Sequence, residues 1–99
     1  MYQYRCIEST EHFMDNKVWE EPLNESYISY DFYGTIIDIS LEGKETDIYI
    51  NWKFTDDMEK ERQMEVARPE IINNIATFKL EHPYPNYDTI KIKISIGKK

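Results

Sequence analysis

Two histidines, one cysteine and a dense run of carboxylates are the side chains of this sequence that could carry catalysis or hold a metal. His12 and His82 stand 70 positions apart. Neither belongs to a metal-spaced pair or adjoins a serine or cysteine nucleophile. A histidine isolated in a loop reads as a solvated side chain. Cys6 is the only cysteine, which rules out an internal disulfide and a multi-thiolate metal centre. No His or Lys adjoins it to lower its pKa, so it is expected as a small buried apolar residue. Gly34, Gly43 and Gly97 are isolated and make no phosphate-cradling loop.

The run Asp56-Asp57-Met58-Glu59-Lys60-Glu61 could be imagined around a hard cation. It lacks the glycine and the spacing of a calcium loop and contains Lys60, so a solvated charged loop is the better account. Nineteen acids on so small a chain put some carboxylates side by side by chance, which leaves paired acids without diagnostic value. The expectation is therefore a protein that is not an enzyme and uses no metal or cofactor. A small hydrolase is the least favoured alternative. A pocket holding His12 or His82 beside carboxylates would bring it forward.

The aromatic residues say more. Eight tyrosines are present. Tyr49 alternates against Ile48, Ile50 and Trp52 and should face outward, while Tyr84 and Tyr87 sit in the proline-stiffened stretch His82-Pro83-Tyr84-Pro85-Asn86-Tyr87. Rigid amphipathic rings at a surface are the usual anchors of protein interfaces. Trp19, followed by Glu20 and Glu21, is a second candidate, with the alternative that Val18 and Trp19 plug one end of the fold. The predicted partner-binding set is Trp19, Glu20, Glu21, Tyr49, Tyr84 and Tyr87.

The elements that must position these residues are strands. Ile90, Ile92, Ile94 and Ile96 alternate with Thr89, Lys91, Lys93 and Ser95, and Ile48, Ile50, Trp52 and Phe54 alternate with Tyr49, Asn51 and Lys53. Tyr2, Tyr4 and Cys6 share one phase, as do Ala76, Phe78 and Leu80. Ile28, Tyr30 and Phe32 keep one phase and Ile37, Ile39 and Leu41 the opposite, which reads as a bulge or bend at Gly34 in preference to a turn. Glu42-Gly43-Lys44 should close a hairpin onto the Ile48 strand. A polar loop through Glu61 is expected to lead into a strand over 62–67, and Pro69 to open a single helical turn ending at Asn73-Asn74. About seven short strands separated by turn signals predict an all-β chain, one domain over 1–99. They would form a single antiparallel β-sandwich, immunoglobulin-like or a similar Greek key.

Charge narrows the partners. Nineteen Asp and Glu against 12 Lys and Arg give a formal charge of −7 and a pI near 4.8, unfavourable for phosphate backbones and anionic membranes. Residues 1–50 carry three bases and eleven acids, a net of −8; residues 51–99 carry nine bases and eight acids, a net of +1. The beginning of the chain has no secretory leader and no segment is apolar enough to span a bilayer, so a cytoplasmic location is expected. These features predict an inhibitor, immunity-type or accessory factor that caps a basic surface of another protein. The alternative is mimicry of nucleic-acid charge by Asp15, Glu20, Glu21, Glu25, Asp31 and Asp38. Lys91 and Lys93 read as blockers of an exposed sheet edge, and such an edge could also pair two copies of the chain.

Overall fold

The isoleucines at 90, 92, 94 and 96 lie on the inner side of a strand paired along both edges, each at most 6% exposed. A computed structural model describes residues 1–24, 27–56, 58–82 and 88–99. Among the described residues there are nine strands: β1 (Tyr2–Ser9), β2 (Val18–Glu20), β3 (Ile28–Phe32), β4 (Thr35–Lys44), β5 (Asp47–Thr55), β6 (Glu65–Ala67), β7 (Glu70–Ile72), β8 (Ile75–Leu80) and β9 (Ile90–Lys98). A 3₁₀ turn, Thr10–His12, follows β1. The strands form two antiparallel sheets, a five-stranded one in the order β2-β1-β9-β8-β7 and a four-stranded one in the order β3-β4-β5-β6. The chain is thus the all-β sandwich its alternation predicts.

The strand order differs from a Greek key. Except where the chain changes sheet, between β2 and β3 and between β6 and β7, each strand pairs with its neighbour in sequence, and β9 pairs along β1. Both β6 and β7 run toward the β4–β5 turn, so 65–72 acts as one strand that leaves the four-stranded sheet and joins the five-stranded one at Arg68-Pro69. Proline suits that place, because it can sit where no ladder hydrogen bond is donated. The helical turn expected at Pro69 is therefore a strand. Asn73 and Asn74 both have positive φ, 52° and 62°, which makes them the two-residue hairpin turn into β8.

Three further readings are corrected. Tyr33 and Gly34, at φ 54° and 86°, form a tight β3–β4 turn instead of a bulge, with the Gly34 N–H donating to Asp31 Oδ1 at 2.9 Å. The phase change across Gly34 is thus a change of strand. β9 is flanked by β1 and β8, so Lys91 and Lys93 stand on a central strand and protect no edge. The strand expected over 62–67 is confined to 65–67.

The inner faces of both sheets meet in one core, with Tyr4, Phe78, Ile39, Ile50 and Leu80 fully buried. Cys6 lies in this core at 0% exposure, and burial pushes its thiol pKa up. No helix of the described residues is long and apolar enough to cross a membrane.

Candidate interaction surface

Strand β2 and the residue after it divide the three predicted site residues Trp19, Glu20 and Glu21 among different tasks. Trp19 lies opposite Tyr4 and packs, half-buried, against the core, as the plug reading has it. Glu20 lies opposite Gln3 on the outer side, where it accepts from Gln3 Nε2 at 3.1 Å and from Lys99 Nζ at 2.8 Å. The Lys99 ammonium holds its carboxyl below the usual glutamate range. Glu21 accepts from the backbone N–H of Tyr2 at 2.6 Å and from that of Glu45 at 3.2 Å, and so ties β1 to the β4–β5 turn of the other sheet. That is an internal role. Tyr84 and Tyr87 lie outside the described residues.

Tyr49 does face outward, on the four-stranded sheet, but it is half-buried beneath the Arg68 guanidinium, 5.3 Å from the ring centre. Arg68 also reaches Asp47 at 3.8 Å. Glu20 and Tyr49 are therefore on opposite sheets, and the predicted residues do not converge on one patch.

What surrounds Tyr49 is a broader surface. Opposite partners in the register put Asp31, Ile36, Asp38, Glu42, Lys53 and Val66 on the outer face of this sheet. Ile36 is 46% and Val66 55% exposed, and Tyr27, just before β3, is 47% exposed. Tyr27, Asp38, Lys53 and Met64 bound a shallow cleft of about 280 Å³. Asp31, Asp38, Glu42 and Asp47 stand on it against Lys44, Lys53 and Arg68, of which Lys53 is bonded to Glu61 and Arg68 reaches Asp47. The Lys53–Glu61 bond lowers the Glu61 pKa and raises that of Lys53. The result is a face of mixed charge with a small acidic excess, and with aliphatic and aromatic side chains exposed among its charges.

Comparison with protein-family models, with curated proteins and with solved structures finds no match to this chain.

Sequence patterns pointed to Tyr49 on this face but missed Tyr27, Ile36 and Val66. A usable signal was the Ile36-Ile37 pair: in a strand with one buried face, one of two adjacent isoleucines must point out.

The histidines occupy two other places. His12 Nδ1 lies 2.8 Å from Asp15 Oδ2, and Ser9 Oγ donates to Asp15 Oδ1 at 2.8 Å while accepting from the Met14 N–H at 2.8 Å. The Ser9 bond, then that of His12, keeps the Asp15 carboxyl low. Ser9 is buried and its hydroxyl is directed at the carboxylate, not at the imidazole, so no nucleophile stands on His12. His82, expected to be solvated, is half-buried: it stacks on Phe54 at 6.0 Å and lies 5.9 Å from Phe32. Burial lowers its pKa. Both line clefts that also carry carboxylates, His12 with Glu8 and Asp15, His82 with Glu65 and Glu81. Asp56 Oδ1 accepts from the N–H groups of Met58 and Lys60, and Glu61 is bonded to Lys53. Among the described residues no cluster of three His, Cys, Asp or Glu is arranged to hold a metal.

Proposed function

We propose that this chain is a non-enzymatic protein-binding domain, an inhibitor, immunity-type or accessory factor, that caps a basic surface of a partner with the outer face of its four-stranded sheet. The observation that carries the reading is the exposure of Tyr27, Ile36 and Val66 around Asp31 and Asp38. Exposed apolar groups bordered by like charge suit an interface with an apolar centre and a complementary polar rim. The net charge of −7 adds steering toward a basic partner.

Affinity capture from the native host, followed by calorimetry on the captured protein, tests this. A stoichiometric partner should bind, and Ile36→Glu with Val66→Glu should weaken it about tenfold or more, as losing central contacts does. Failure to capture a partner, or an affinity unmoved by the double substitution, would overturn the proposal.

The mimicry alternative draws less support. Asp31 and Asp38 share a face, but Glu20 lies on the other sheet, Glu21 is bonded internally, Asp15 is bonded to Ser9 and His12, and Glu25 is outside the described residues. A hydrolase draws on two observations: His12 and His82 each line a cleft with carboxylates, and the Asp15–His12 pair resembles an oriented general base. Loss of a measured hydrolytic activity in His12→Ala would favour it.

A further inference from the structure

The outer face of the five-stranded sheet departs from the rest of this acidic protein. Its strand positions carry Arg5, Lys79, Lys91 and Lys93 against Glu8, Glu20 and Glu70. Glu8 is engaged by Lys93 at 3.2 Å and Glu20 by Lys99 at 2.8 Å. Arg5, Lys79 and Lys91 make no ion pair with any described residue. Lys79 and Lys91 are exposed and stand directly opposite each other on adjacent strands. Like charges so placed oppose sheet formation, and a surface needing only solubility would intersperse the signs. Because β9 is central, edge protection does not explain them.

A groove with one aliphatic wall adjoins these cations. The register of β1 against β9 slips between Cys6 and Glu8, and this bulge leaves Ile7 46% exposed beside Glu8. Ile7, Ile75 and Ile72, the last 61% exposed, form the aliphatic wall of a groove of about 560 Å³ that Lys93 also borders, with Glu8, His12 and Asp15 on its other side. Lys91 and Lys93 are two residues apart on one face, roughly 6.6 Å along the strand, which is also the repeat of same-side residues in an extended peptide.

We propose that this face is a second docking surface, which takes an extended acidic segment of another protein. One carboxylate meets Lys79 and Lys91, a second at the alternate position takes the place of Glu8 on Lys93, and an aliphatic side chain further along seats between Ile7, Ile72 and Ile75. A polynucleotide fits less well, because the row of cations is short and the molecule as a whole repels phosphates.

The test uses a labelled synthetic peptide alternating Glu and Leu, followed by fluorescence anisotropy, with amide chemical shifts reporting the site. Binding should saturate, weaken with salt, and perturb β1, β8 and β9. Lys79→Glu with Lys91→Glu should weaken it about tenfold or more, and Ile72→Asp several-fold. Lys79→Ser with Lys91→Ser provides a gentler variant, and thermal melting checks that each remains folded. A peptide of Lys and Leu should not bind, and Ile36→Glu with Val66→Glu should leave binding unchanged, which separates this surface from the one proposed above. The inference fails if the acidic peptide does not saturate, if the lysine variants bind it normally, or if oligothymidylate binds more tightly. A dimer in sedimentation that the lysine variants abolish would assign the face to a second copy and also overturn it.

Discussion

Tyr4 has no exposed surface, yet its hydroxyl donates to the Glu45 carbonyl at 2.7 Å, across from the first strand of one sheet to the turn of the other. Burial, then the nearby Glu21 carboxylate, pushes the phenol up to about 12 from 10.0. The folded protein therefore holds this proton more tightly than the unfolded chain. Its stabilisation is complete below pH 10 and disappears as the pH rises through about 12, a loss of about 3 kcal/mol for the full shift. Urea titrations at intervals from pH 8 to above 11 should show this decline, and Tyr4→Phe should flatten most of it. A wild-type curve with the same alkaline slope as the variant would contradict the assignment. His82 works in the opposite range: its lowered pKa means that acid, falling below its ordinary 6.5, removes stability from the Phe32 and Phe54 end.

At the scale of elements, the turns decide the topology. Gly43 has φ +102°, and a Cβ there would lie 2.1 Å from the Asp47 carbonyl oxygen. Gly43→Ala should cost about 2 kcal/mol or more, since the left-handed strain and the backbone clash act together. Asn74→Gly, at φ 62° in the β7–β8 turn, should instead stabilise by about 0.5 kcal/mol, because an Asn-Gly pair suits two successive positive φ values. Thermal melts of the two variants should move in opposite directions. The same elements show what was legible. The alternating runs at 48–54 and 90–96 were readable because each residue reports its own face. β2 and β7 were not, because three residues hold too little period, and Asn73-Asn74 serves a helix end as well as a hairpin. Tyr49 was placed on the correct face, but its cover by Arg68 depends on a residue 19 positions away. The exposure of Val66 depends on how few residues β6 pairs along β5.

For the whole molecule, topology turns a difference along the sequence into a difference between faces. The acidic first half and the near-neutral second half do not form separate lobes, since β1 from the first lies along β9 from the second. Acids of β3 and β4 mark one outer face and lysines of β8 and β9 the other. The β1–β9 ladder that does this mixing joins the two extremes of the chain, a pairing of high sequence separation and therefore slow to form.

The Lys99 N–H donates to the Met1 carbonyl at 2.7 Å, so the first and last residues are already side by side. A circular permutant joining Lys99 to Met1 through a short glycine linker, and opened at Asn73–Asn74, should keep the fold. In it, β9 and β1 become a local hairpin, and the most distant contact of the natural order becomes one of the nearest. Stopped-flow refolding should then run faster than in the parent chain. An equal or slower rate would show that the β1–β9 ladder does not limit folding.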